Sequence, residues 1–257
     1  MVEKVIAVVP ARMASSRFPG KPLVDIAGLP MIEHVRRRAL LAEGVDEAVV
    51  ATCDQEIADV VDAAGGKAVM TSDQHERSTE RVAEAMLSLD GDVVVVVQGD
   101  EPLLLPGDLE LVARPFGKAD EIESVSLLST LEGEADFFNP NIVKAACNQS
   151  GYIMYYSRAA IPYVQKEGAC PIYRETGIRA FRADFLQRYV NLPETPFEIV
   201  ESIDMMRLLE HGHRVMGVVT EGVTFGVDHA NEVDNIISIL ESDPIQSDLL
   251  DKIRACD

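Results

Sequence analysis

The chain has 257 residues, 47% hydrophobic and 26% charged, with no Trp and a formal net charge of -20. That length can bury a sizeable core, as one large domain or a domain with a subsidiary lobe. The acidic balance argues against a nucleic acid or an anionic membrane as partner, because both require clustered Lys and Arg.

The first apolar run, "KVIAVV" at 4–9, reads as a strand, and "MIEHVRRRALLA" at 31–42 as a helix with Pro30 near its first turn. "EAVVAT" at 47–52 is a strand. "QEIADVVDAAGG" at 55–66 is a helix with Asp54 as N-cap and Gly65-Gly66 as its stop. "KAVM" at 67–70 is a short strand and "TERVAEAMLSL" at 79–89 a helix, while "DVVVVVQ" at 92–98 is apolar on both faces, as suits a central parallel strand. The alternation predicts an α/β fold with a doubly wound, mostly parallel, Rossmann-like sheet.

After about residue 122 the rhythm changes. "IESVSLLST", "NIVKAAC", "GYIMYYS" and "ETGIRAFR" are strand-like with little helix between them, which predicts an antiparallel extension or lid at about 122–190. "PFEIVESIDMMRLLEHG" at 196–212 reads as one helix and "RVMGVVT" at 214–220 as a strand. "VTFGVDHA" at 223–230 follows as a short strand, and "NEVDNIISILES" at 231–242 as a closing helix. With no repeat and no linker, residues 1–257 are expected to form one continuous domain. No apolar run approaches the ~20 residues that span a bilayer. The first residues also lack the pattern of a secretory signal, so the cytoplasm is the expected compartment. Four cysteines, Cys53, Cys147, Cys170 and Cys256, show no CxxC pair and are expected as free thiols.

Ligands of open α/β sheets bind beyond the carboxyl ends of the strands, and three polar clusters fall there. "PARMASSRFPGK" at 10–21 concentrates Arg12, Arg17 and Lys21 beside Gly20. Arg12 and Lys21 suit phosphate oxygens, and the glycine lets backbone N–H groups approach an anion. "VVQGDEP" at 96–102 ends a valine strand in Gln98, Gly99, Asp100 and Glu101, a setting for a hard cation such as Mg2+. "FGVDHANEVD" at 225–234 offers Asp228 as a second metal ligand. A solvated basic turn and a capped acidic turn are the alternatives for the first two clusters. Together the clusters suit nucleotidyl transfer from a nucleoside triphosphate, with Lys21 and Arg12 offsetting leaving-group charge.

The stretches "PARMASSRFPGKPLVDIAGLPMIEHV", "VVATCDQEI", "STER", "VVQGDEPLL", "YYSRAAIPY" and "RYVNLPETPFEIVESIDMMRLLEHGHRV" follow one another in a known order. That order resembles the 3-deoxy-manno-octulosonate (Kdo) cytidylyltransferases, the CMP-Kdo synthetases, from residue 5 to about 240. The resemblance implies a CTP- and Mg2+-dependent nucleotidyltransferase in which a sugar acid's anomeric hydroxyl attacks the α-phosphate of CTP and pyrophosphate leaves. It implies a homodimer and, usually, a role in lipopolysaccharide biosynthesis. It places Arg12 and Lys21 on the CTP phosphates, Asp100 and Asp228 on Mg2+, and Gln98 beside the reacting centre. Arg17 and Arg81 would lie near the acceptor or triphosphate, and Glu198 and Glu201 would face the sugar.

This chain departs from the family pattern at particular places. "RSTER" puts Arg77 and Ser78 where relatives read "SGTER", and Cys53 replaces an aspartate. Glu175 stands for a histidine, Arg179 for a tyrosine and Met205 for a sugar-facing glutamine. The expected acceptor is therefore Kdo or a modified Kdo such as 8-amino-Kdo: Glu175 would favour a cationic group unless Arg77 or Arg179 neutralises it within the protein. CMP transfer to another acid such as a phosphonate, or a nucleotide-binding regulator without catalysis, are the competing readings.

Overall fold

The computed structural model describes residues 3–14, 18–119, 121–131, 133–166, 171–222, 226–227 and 229–255. The opening apolar run forms β1 (Val5–Ala11), in which Ile6, Ala7, Val8 and Val9 are wholly buried. A strand without alternation needs cover on both faces and neighbours on both edges, and β1 has both. A 3-10 turn at Lys21–Leu23 and a small hairpin of β2 (Asp25–Ile26) and β3 (Leu29–Pro30) lead into α1 (Met31–Leu40). Next come β4 (Glu47–Thr52), α2 (Gln55–Ala63), β5 (Lys67–Met70), α3 (Ser78–Met86), β6 (Val93–Val96) and α4 (Pro106–Ala113).

The residues gather into two compact units, 1–110 with 224–257, and 111–223. In the first unit β6, β1, β4 and β5 lie side by side, every pair parallel. From β1 the chain steps outward through β4 to β5, then returns to the other side of β1 as β6. The strand order therefore reverses between β1 and β6, and a crevice opens beyond their carboxyl ends. The last part of the chain adds α9 (Val233–Ser242) and α10 (Pro244–Arg254), the latter capped by Asp243, whose carboxylate accepts the Ile245 and Gln246 N–H groups.

The second unit carries the antiparallel strands expected after residue 122. It holds β7 (Ser124–Thr130), a short α5 (Glu134–Phe138), β8 (Lys144–Cys147), β9 (Ile153–Ser157) and β10 (Tyr173–Arg182). After these come α6 (Ala183–Val190), α7 (Pro196–Glu201), α8 (Met206–Glu210) and β11 (Met216–Thr220). β10 pairs antiparallel with β7 and β8, β8 antiparallel with β9, and β11 parallel with β7. The α/β class with parallel strands followed by an antiparallel extension is as expected. The single late helix is not: Ser202 adopts a left-handed φ of 53° and divides it into α7 and α8. Of the short strand expected at 223–230, residues 223–225 and 228 lie outside the described residues, and 226–227 are not strand. Among the described residues no helix is long and apolar enough to cross a membrane.

Helix α1 is unusual in burying charge. Glu33 is 1% exposed and takes both Nε and Nη2 of Arg36 at 2.7 Å and Nε of Arg37 at 2.8 Å. His34, fully buried, has Nε2 at 2.7 Å from the Ile26 carbonyl, so Nε2 carries the proton and Nδ1 is left bare. Burial holds its pKa down at about 4, against an ordinary 6.5. A histidine with a depressed folded pKa contributes stability that is full above the unfolded value and is lost as pH falls toward the folded one. Across that window, from about 6.5 to about 4, the loss should reach ~3 kcal/mol. Urea denaturation at pH 7 and pH 4.5 should show a steeper fall for the natural chain than for His34→Gln. Parallel falls would contradict the assignment.

Candidate active site

Two loops meet at the mouth of the crevice between β1 and β6. The first leaves β1 at Ala11 and returns through Gly20, whose left-handed φ of 74° sets the 3-10 turn that presents Lys21. The second leaves β6 through Gln98 and Gly99. A Cβ on Gly99 would stand 2.8 Å from the Pro10 carbonyl oxygen, so only glycine lets this loop lie against the end of β1. Asp100 follows at once.

The Lys21 ammonium lies 2.6 Å from Asp100 Oδ2 and donates to the Val227 carbonyl at 2.8 Å. The Val227 N–H in turn donates to the Asp100 carbonyl at 2.8 Å. Three chain segments, from residues 21, 100 and 227, are thereby tied at one point. Lys21 is nearly covered, with 13% of its side chain exposed, while Asp100 keeps 35% open to the crevice. A lysine drawn onto a carboxylate and a carbonyl has its charge fixed in place, which makes it a preset cation for an anionic ligand.

A cavity of about 310 Å³ opens here, and its wall includes Arg12, Lys21, Arg77, Arg81, Gln98 and Asp100. Arg12, Lys21, Arg81, Gln98 and Asp100 are therefore brought together, with Arg77 beside them. Arg17 and Asp228 lie outside the described residues. Arg12 is exposed on the wall, and no described residue takes a hydrogen bond from it. Arg81 is 3% exposed and donates from Nη1 to Thr71 Oγ1 at 2.6 Å and to the Ser72 carbonyl at 3.1 Å. Arg77, the residue that departs from the family pattern, stands just before α3, with its N–H 3.3 Å from Glu80 Oε2.

His75, also on the wall, escaped the sequence reading. Its Nε2 meets Glu84 Oε2, and the same oxygen accepts the Ser72 N–H at 2.9 Å. The Ser72 N–H, then His75, hold the Glu84 carboxyl below its ordinary range. Glu84 thus ties the 72–77 loop to α3. Asp54 stands at the N-cap of α2 as expected, but its Oδ2 accepts the Met13 N–H at 2.8 Å in place of a capping bond and steadies the loop after β1. The neighbouring Cys53 is a free thiol, as is Cys147, whose pKa burial pushes up to about 11; Cys170 and Cys256 lie outside the described residues.

Among the described residues no three His, Cys, Asp or Glu side chains gather to hold a metal ion. Mg2+ does not need such a cage, since it keeps waters and is bound through one or two carboxylates plus substrate phosphates. A half-open Asp100, with the chain next to position 228 hydrogen-bonded to it, fits that donor set.

The acceptor-side expectations fare differently. Glu198 is fully buried and binds Arg207 through both oxygens at 2.7 Å, while closing the capping box of α7 on the Thr195 N–H. Glu201 accepts Ser157 Oγ at 2.7 Å and the Arg158 N–H at 2.9 Å. Met205 is 0% exposed. Glu175 takes Nε of Arg179 at 2.8 Å, and Arg179 Nη1 lies 2.7 and 2.8 Å from the two oxygens of Asp204. The carboxylates expected to face a sugar are thus each hydrogen-bonded within their own unit, and Met205 is buried. Asp204, which joins Glu175 and Arg179 in one cluster, was missed because a lone aspartate in an apolar helical stretch gives no sequence signal.

A family model described as cytidylyltransferase matches residues 6–215. The 3-deoxy-manno-octulosonate cytidylyltransferase of Acaryochloris marina is 44% identical over 212 residues, covering 82% of this chain and 86% of its own length. That of Syntrophus aciditrophicus is 40% identical over 244 residues, covering 93% and 98%. A solved structure of CMP:2-keto-3-deoxy-manno-octonic acid synthetase complexed with CTP superposes with a TM-score of 0.89 at 36% identity, covering 93% of this chain and 98% of that one. With a cation-lined crevice at the switch point and matching sequence through most of its length, the chain belongs to the cytidylyltransferase family of nucleotidyltransferase enzymes.

Proposed function

We propose that the chain transfers CMP from CTP to the anomeric hydroxyl of Kdo and releases pyrophosphate. The hydroxyl oxygen forms a bond to the α-phosphorus, the bond from that phosphorus to the β-phosphate oxygen breaks, and the hydroxyl proton passes to solvent. The observation that carries this reading is the tie between Lys21, Asp100 and Val227 in a cavity walled by Arg12, Arg77 and Arg81. Such a site holds a triphosphate in an otherwise acidic protein. Lys21, fixed by two partners, needs no reorganisation as charge grows on the leaving pyrophosphate. Among the described residues no carboxylate competes for Arg12, and Arg81 adds its charge from a fixed position. Mg2+ bound at Asp100, with Asp228 as the second carboxylate, would offset phosphate charge.

Kdo itself is the favoured acceptor. The amino-sugar expectation relied on a free Glu175, and that carboxylate is shared with Arg179. A homodimer and a cytoplasmic location belong to the same reading, the dimer being open to sedimentation analysis.

The deciding experiment is pyrophosphate release with CTP, Mg2+ and Kdo, with UTP and ATP as donors and 8-amino-Kdo and phosphonates as acceptors in parallel. CTP with Kdo should be the most efficient pair, and phosphorus NMR should show a single phosphodiester product. Equal release from UTP would remove the cytidine assignment. Faster turnover of 8-amino-Kdo or a phosphonate would move the acceptor, and no release with any acid would favour a non-catalytic binder.

A further inference from the structure

The chain just after Asp100 enters the core almost immediately. Leu103 and Leu104 are each 2% exposed, so their carbonyls are withdrawn from water and need partners within the protein. The partners come from two helices far away in sequence. Arg38 of α1 donates from Nη1 to the Leu104 carbonyl at 3.1 Å and to Gln246 Oε1 at 2.7 Å. Gln246, in the first turn of α10, donates from Nε2 to the Leu103 carbonyl at 3.0 Å. Two adjacent carbonyls, one amide and one guanidinium thus form a closed circuit.

The circuit is costly as mere filling. Arg38 is fully buried, no described carboxylate pairs with it, and its Nε and Nη2 have no hydrogen-bond partner. An apolar side chain of that length would pack there without the desolvation cost. What the guanidinium and amide supply, and an apolar pair would not, is a fixed position for the backbone at 103–104. That position is passed on. The Leu104 N–H donates to the Glu101 carbonyl at 3.1 Å, and the Glu101 N–H to the Gln98 carbonyl at 3.4 Å. Asp100 lies inside these linked turns, and its carboxylate and carbonyl must both be placed to reach Lys21 and the Val227 N–H.

We propose that Arg38 and Gln246 are positioning residues for Asp100, holding from the core side the loop that aims its carboxylate into the crevice. The inference rests on the reading of Asp100 as part of the reacting centre. It predicts a signature distinct from general loss of stability. Arg38→Met and Gln246→Leu should each lower kcat about tenfold while changing KM for CTP by less than about twofold, because the loop serves the transition state more than ground-state binding. The double variant should be no worse than either single one, since both open the same circuit. Arg38→Lys, which keeps a donor in reach, should recover part of the loss.

Native-state hydrogen exchange provides a readout independent of the reaction. The amides of Glu101 and Leu104 should exchange at least about tenfold faster in the variants, while those of Val8 and Val9 on β1 keep their protection. If exchange at 101 and 104 is unchanged, or rises equally on β1, the positioning role is wrong even where activity falls. If the loop amides loosen and kcat for the folded enzyme stays at the natural value, the link to Asp100 is wrong. Should Arg38→Met fail to fold, Gln246→Leu and Arg38→Lys carry the same test.

Discussion

Asp100→Asn is expected to lower kcat by about 10³-fold, equivalent to ~4 kcal/mol of barrier, with the fold and its stability nearly intact. Asparagine has the same shape as aspartate. Its side-chain oxygen still accepts from Lys21, and the backbone bond between the Asp100 carbonyl and the Val227 N–H does not depend on the side chain. The substitution therefore removes charge and little else. With a third of the aspartate side chain in solvent, the lost ion pair should cost no more than ~1 kcal/mol of stability. Catalysis would lose more, because on the proposed reading the carboxylate would hold the cation that offsets phosphate charge. Pyrophosphate release at saturating Mg2+ and urea denaturation on the same preparation separate the two effects. A kcat within tenfold of the natural enzyme would overturn the role given to Asp100.

The nucleotide end of this site was legible because its signals are local. A valine run with no alternation places β6 in the middle of a sheet, and a glycine followed by carboxylates at its end can hardly be anything but a loop at the crevice. Arg12 and Gln98 could be placed by the same rule, since they follow β1 and β6 at once, and Lys21 because it lies in the loop that leaves β1. The Val227 carbonyl could not, because backbone groups leave no trace in residue identity. Nor could Gln246, which reaches Leu103 across more than a hundred residues from a helix past the last predicted element. Asp54 shows a third kind of limit: the residue was right for an N-cap, but tertiary structure gave its carboxylate to the Met13 N–H instead.

The acceptor half was legible as strands and hardly at all as a site. The four antiparallel strands could be read from their apolar content, whereas side-chain pairing within them could not. Glu198 looks like a surface glutamate on an amphipathic helix until Arg207, nine residues on, is folded back against it by the break at Ser202. The same fold-back places Asp204 on Arg179. Arg179 as a partner for Glu175 could be named from the sequence, whereas Asp204 beside it and Arg207 against Glu198 could not, because both depend on that break.

The cluster of Glu175, Arg179 and Asp204 yields the second large effect. Two carboxylates, 5% and 11% exposed in their side chains, share one guanidinium that is itself 10% exposed. Burial already raises the Glu175 carboxyl above its ordinary pKa, against the pull of Arg179. Arg179→Met would bury both carboxylates without the cation they share, and breaking a buried pair in this way costs ~3–5 kcal/mol. Against the ~5–15 kcal/mol that holds most domains folded, that is a large fraction. The loss should depend on pH in a definite direction. A carboxyl whose folded pKa is raised contributes stability fully below its unfolded value, and loses it as pH rises through the folded value. The variant should therefore be closer to the natural chain at pH 5 than at pH 7.5. Neutralising the acids as well, in Glu175→Gln with Asp204→Asn on the Arg179→Met background, should restore much of the difference at pH 7.5. Urea midpoints at the two pH values give the answer. A variant as stable as the natural chain at pH 7.5 would mean the carboxylates find other partners or water, and would reopen the case for Glu175 as a group available to the acceptor.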